Sequence, residues 1–230
     1  MSQGAQSEAD TRQRVLESAT QLFADNGFHE TTVHEICDAA QANIAAVNYY
    51  FGSKRQLYDA AWRHAYQLTS EATDLNPQWN QNRPPEELIK AFIKARVRDA
   101  FSEGPSRYFW DILMKEHAEP TSVHRDIILE VLKPQGQRLT GLVGTLVGLE
   151  PEDQRVWMCV FSLVGQLAFI NAHRRIARRL FGDRPPVPLD PEVLIEHYTR
   201  MFFAGLRATR EAAEGRDEVT AATGTEGGEQ

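Results

Sequence analysis

Apolar residues recur at helical spacing along nearly the whole chain, and nowhere do they alternate with polar ones over a strand's length. In "TRQRVLESATQLFADNGF", Val15, Leu16, Ala19, Leu22 and Phe23 fall on one stripe of a helix. Val, Ile and Thr are not clustered as strands require. The chain is therefore predicted to be all-α.

The breaks between helices are as informative as the helices. Asn26-Gly27 is predicted to end the first, since both residues tolerate the left-handed backbone found at helix C-termini. Thr32 with Glu35 three residues on is a capping-box pattern that starts a second, with Ile36, Ala39 and Ala40 inward. "QAN" leaves room only for a turn. Asn43 then caps "IAAVNYYF", which Gly52 terminates. Ser53 with Gln56 repeats the capping pattern at the head of a long helix from Lys54 to about Asp74. After an Asn-, Gln- and Pro-rich connection at 76–85, further helices are expected at 86–102, 106–118, 122–148, 152–181 and 190–210. Pro134 should kink the third of these.

Two helices joined by a three-residue turn, over 32–51, have the dimensions of a helix-turn-helix, whose second helix enters the major groove of DNA. Such a helix needs small residues near base edges, and Ala45 and Ala46 supply them. Asn48 carries the paired donor and acceptor that match adenine, though it could equally reach a phosphate. Tyr49 suits a phosphate contact, while Tyr50 is divided between that and packing. Lys54 and Arg55, with the exposed amides at the helix starts near Thr32 and Ser53, can hold the flanking backbones. Thr32, Asn43, Ala45, Ala46, Asn48, Tyr49, Tyr50, Ser53 and Lys54 form the candidate DNA-binding set.

Net charge gives this reading no support. The total is −7, divided as −3 over 1–70, +1 over 71–210 and −5 over 211–230. Locally the sign is right, because Lys54 and Arg55 are the only charges in 41–57.

The ordered run "RVLESATQLFADNGFHETTVHEICDAAQANIAAVNYYFGSKRQLYDAA" resembles the N-terminal DNA-binding domain of TetR-family transcriptional regulators. Asn26-Gly27-Phe28, Thr31-Thr32, the aromatic "NYYF" and the "SK" pair carry the likeness. Asn48 departs from it, because the family usually has tyrosine there, so the operator is not readable by analogy. Pro105 to Gln135 is similar to the regulatory domain of the CecR-type subgroup. The resemblance implies a homodimer and a divergent C-terminal ligand domain.

The domains expected are a flexible N-terminus at 1–9, the TetR-type DNA-binding domain at 10–70, a regulatory and dimerisation domain at 71–210, and a disordered acidic tail at 211–230. The helix near 152–181 is apolar around most of its circumference, which suits burial between two copies together with 190–210. Paired subunits would set two recognition helices about 34–36 Å apart on a roughly palindromic double-stranded operator. An unidentified small-molecule effector would release them. Tyr108, Phe109, Trp110, Met114, Trp157 and Phe161 are candidate pocket residues, although each also suits an ordinary core. The function expected is repression, with activation or dual regulation as the variant.

Other classes fit less well. A helical enzyme would show Glu-x-x-His pairs, whereas glutamates and histidines here are scattered. An adaptor leaves the capped helix-turn-helix without a use. His34, Glu35 and Cys37 do not converge as metal ligands, and Glu116, His117 and Glu119 come without a nucleophile or oxyanion motif. No catalytic residue, metal or cofactor is expected. Arg174, Arg175, Arg178 and Arg179 share one helical face, read as solvated or as an interface. Cys37 and Cys159 are far apart and form no C-x-x-C pair, which fits a reducing cytoplasm. The run Val156 to Ala172 is too short to span a bilayer, and no secretory signal opens the sequence.

Overall fold

The computed structural model describes residues 3–71, 83–122, 124–182 and 190–224. No strand occurs among them, and the all-α expectation holds. The helices are α1 (Gln3–Glu30), α2 (Val33–Ala40), α3 (Ile44–Phe51), α4 (Lys54–Glu71), α5 (Pro85–Phe101), α6 (Tyr108–Ala118), α7 (His124–Ile127), α8 (Lys133–Val147), α9 (Gln154–Phe181) and α10 (Pro191–Gly224). A 3-10 turn, Pro105–Arg107, leads into α6.

The chain divides into two compact units. In the first, α1 packs on α2, α3, α4 and α6, and α4 packs on α6 and α7. Its apolar centre includes Val15, Phe23, Ile36, Val47, Leu57 and Trp62, joined by Phe109 and Ile112 of α6. Residues 98–132 group with the N-terminal helices in the first compact unit. Polar contacts within this unit explain why. The Tyr58 hydroxyl donates to the buried Glu116 carboxylate at 2.7 Å, Arg63 pairs with Glu130, and Thr69 donates to the Ser106 carbonyl at 2.9 Å. Arg107, at the end of the 3-10 turn, bridges Asp25 of α1, at 2.8 Å, and Asp111 of α6. The second unit contains most of α5 with α8, α9 and α10, where α8 packs on both of the last two helices.

Three boundaries differ from expectation. The helix foreseen at 122–148 is interrupted by a π-helical turn, Ile128–Leu132, between α7 and α8. Pro134 has no N–H for the Glu130 carbonyl, and the turn just before it widens. α1 begins at Gln3, inside the stretch expected to be flexible, and it breaks at Gly27, whose φ is 85°, before a last turn to Glu30. α10 runs on to Gly224 through residues expected to be disordered. Glu211 to Ala213 and Glu214 are good helix formers, Arg210 pairs with Glu214 one turn on, and Ala213 is buried. The lack of an apolar stripe there did not prevent a helix from continuing. Residues 72–82, with most of the foreseen 76–85 connection, and 225–230 of the tail lie outside the described residues.

Candidate nucleic-acid interface

The first helix of the motif is fixed at both ends. Thr32 accepts the Glu35 amide at 3.2 Å, and the Glu35 carboxylate accepts the Thr32 amide at 2.7 Å, a complete capping box. These bonds hold the Glu35 carboxyl below its usual range. Thr31, its neighbour, is buried and donates to the Gly27 carbonyl at 2.8 Å, which ties down the end of α1. Inward, α2 turns Ile36, Cys37 and Ala40, while Ala39 is exposed. At about 100° per residue, Ala39 lies well to one side of the stripe that the other three define, so the inward placement expected for it fails.

Gln41 closes α2 in the left-handed region at φ 50°. Asn43 then accepts the Ala45 amide at 2.9 Å and opens α3. Val47 and Phe51 face the core. Ala45, Asn48 and Tyr49, spaced three and four apart, face outward, with Tyr49 75% exposed. Ala46 and Tyr50 are half-buried. Tyr50 meets Tyr49 edge to face at 4.9 Å, and its phenol pKa is raised by burial, then by the charge of Glu8 and by Tyr49. Gly52 stops the helix at φ 77°, where an added Cβ would collide with Gln56.

Ser53 forms half of the expected second box. Its hydroxyl accepts the Gln56 amide at 3.2 Å, but the Gln56 side chain meets that hydroxyl, and the Ser53 amide goes instead to the Phe51 carbonyl. Lys54 is turned inward. Its ammonium lies 4.6 Å from the Phe28 ring centre and 3.4 Å from the His29 carbonyl, and burial lowers its pKa against the pull of Glu35 and Glu30. Arg55 is exposed. Helical spacing alone turns Ala45 and Asn48 to the same side, but no local signal announces that Phe28, twenty-six residues upstream, would occupy Lys54.

His34, Glu35, Cys37 and Glu116 have separate structural tasks. His34 pairs with Asp38 at 2.8 Å, Glu35 caps, and Cys37 is buried with its thiol pKa pushed up by burial. Glu116 accepts the Tyr58 hydroxyl and the Thr121 amide.

The six pocket candidates divide between the two units. Phe109 and Trp110 are core residues of the first unit, and Tyr108 and Met114 are half-buried on the same helix. Trp157 and Phe161 lie in the second unit, 48% and 81% exposed. Aromaticity alone did not distinguish core from surface. The second unit instead has an apolar groove of about 480 Å³ between α9 and α10, lined by Met158, Leu163, Met201, Phe202 and Leu206 with Gln166.

Comparison with known proteins decides the family. Residues 85–206 match the C-terminal domain of the HTH-type transcriptional dual regulator CecR, and residues 15–61 match the bacterial regulatory proteins of the tetR family. The chain belongs to the TetR family. This TetR-family regulator is 26% identical to the dual regulator CecR of Shigella flexneri over 164 residues, which are 68% of this chain and 73% of that one. In fold it is similar to a TetR-like regulator from a Rhodococcus species, with a TM-score of 0.61 at 21% identity, covering 86% of this chain and 96% of that one. It is also similar to AibR, solved with isovaleryl coenzyme A and operator DNA, with a TM-score of 0.64 at 20% identity and 83% and 97% coverage. It is a transcriptional regulator and not an enzyme. No helix among the described residues is long and apolar enough to cross a membrane.

Proposed function

We propose that the protein is a homodimeric, cytoplasmic repressor that sits on a roughly palindromic operator and leaves it when a small molecule binds. The observation that carries this reading is the outward face of α3. A small residue, an amide and a tyrosine stand together on the second helix of a fully capped helix-turn-helix. Insertion of that helix puts Ala45 and Asn48 at base edges and Tyr49 at the backbone. Thr32, Asn43, Ser53 and Tyr50 frame it, and Lys54 joins only by swinging off Phe28.

Pairing through α9 and α10 is supported by their exposed apolar side chains. Met158, Phe161, Phe169 and Leu180 stand 63%, 81%, 62% and 69% exposed along α9, and Met201 and Ala208 are exposed on α10. Apolar surface of this extent marks an interface. For release, the effector must bind one arrangement of the dimer better than the arrangement that fits DNA. Within the first unit, the Tyr58–Glu116 and Arg63–Glu130 contacts make α6 and the π turn move with α4, so a displacement of 98–132 carries the recognition helix along. AibR, of the same fold, was solved with an acyl coenzyme A and operator DNA, so this fold can take both kinds of partner. Dual regulation is the second reading, favoured by the match of 85–206 to a dual regulator's domain.

Footprinting on the DNA upstream of its own gene, across a salt series, tests the proposal. The expected result is protection of a two-fold site that weakens steeply with salt. Equal affinity for that DNA and an unrelated duplex would defeat it.

A further inference from the structure

α1 starts twelve residues ahead of the first position matched to the DNA-binding family, Gln3 against Val15. Those added turns pass beside the recognition helix. The Arg12 guanidinium lies 5.2 Å from the centre of the Phe51 ring, the last residue of α3. Arg14, two residues on, is used differently: its Nε donates to the Ala40 carbonyl at the end of α2, at 3.1 Å. Glu8 lies one helical turn before Arg12, and its charge is felt at the Tyr50 phenol.

We propose that Arg12 is a phosphate-binding residue of the DNA interface, gripping the backbone on the Tyr50 side of α3, with Glu8 as the neighbour that tempers its hold. The inference rests on the regulator reading above and adds to it a contact outside the matched motif. Arg12 is exposed, and among the described residues its guanidinium takes no hydrogen bond or ion pair. Its one recorded contact, with a ring, aims the side chain without saturating its five N–H donors.

Position argues the same way. Lys54 rests on Phe28 near the far end of α1. From Arg12 the helix rises over fourteen residues to Asn26, roughly 21 Å at 1.5 Å per residue, and Phe28 lies just past the break at Gly27. A helix in the major groove, itself about 12 Å wide, is flanked by two backbones. The Lys54 end of α1 can serve only one of them. Within 41–57 the cations are Lys54 and Arg55, both of which follow α3, so any further cation beside α3 comes from another element. Arg12 is such a residue, and the planar guanidinium suits a phosphate.

The test uses duplexes enriched by the unaltered full-length protein from a randomised pool, with an unrelated duplex of equal length beside them. Arg12→Gln should weaken binding to both by about 5- to 10-fold and reduce the slope of log affinity against log salt by about one. Arg12→Lys should keep that slope, and Glu8→Gln should tighten binding about twofold. Parent-like affinity and slope for Arg12→Gln would overturn the assignment. So would a loss of affinity that tracks a fall in melting temperature and that Arg12→Lys fails to restore, since that outcome means packing alone. Tyr49→Ala separates the two levels. If it weakens binding while Arg12→Gln does not, only this inference falls. If the pool yields no preferred duplex, the regulator reading falls and takes this one with it.

Discussion

Tyr49 and Tyr50 are neighbours in sequence with different surroundings. Tyr49 stands in solvent, set edge to face with its neighbour's ring, whereas Tyr50 is half sunk against the core. Tyr49→Ala should therefore weaken binding on every duplex alike, by about 1 kcal/mol, with little change in melting temperature. Asn48→Ala should instead lower discrimination at one base position by about 1–3 kcal/mol. Competition binding against a set of single-base variants distinguishes the two, and identical profiles for both mutants would refute the division of labour. Lys54 belongs to a third kind. Because its ammonium already contacts the Phe28 ring and the His29 carbonyl, Lys54→Ala should cost about 0.5–1 kcal/mol of stability.

At the scale of elements, the motif depends on its caps. Thr32→Ala removes the acceptor for the Glu35 amide and should cost about 1 kcal/mol, read as a lower midpoint in chemical denaturation. Glu35 makes this end of α2 sensitive to acid. Its folded pKa is depressed, so its contribution is complete above the ordinary carboxylate range and is lost as pH falls through the lower folded value. Glu35→Gln should flatten the acid limb of the stability profile, and an unchanged limb would show that the Glu35 charge contributes nothing to it.

These caps are also why this part of the chain was legible. Thr32, Asn43 and Gly52 act within four residues of themselves, so sequence alone places α2 and α3 to within a residue. What escaped were contacts over longer separations. Nothing local to Lys54 announces Phe28, and nothing local to Phe109 announces that α6 joins the core of α1 and α4. The end of α10 was missed for another reason. A stretch without an apolar stripe predicts disorder, yet Ala, Glu and Arg sustain a helix there by backbone preference.

At the scale of the molecule, the proposed dimer makes the sharpest claim. Phe161 contacts little within its own protomer, being 81% exposed, so a charge there should leave the fold intact. Phe161→Glu is expected to raise the dimer dissociation constant at least about 100-fold, or roughly 3 kcal/mol, measured by sedimentation. A variant that sediments as the parent does would place the interface elsewhere. The division into two units also has a practical consequence, because each holds one of the chain's two cysteines, Cys37 in the first and Cys159 in the second. Cys37 sits inside the α2 core with a raised pKa, so alkylating reagents reach it only during excursions that unseat the DNA-binding helices. Cys159 is half-exposed on α9 and reacts without any such excursion, so mass spectrometry of the two alkylated peptides would time the opening of the first unit against an internal reference, without any engineered label.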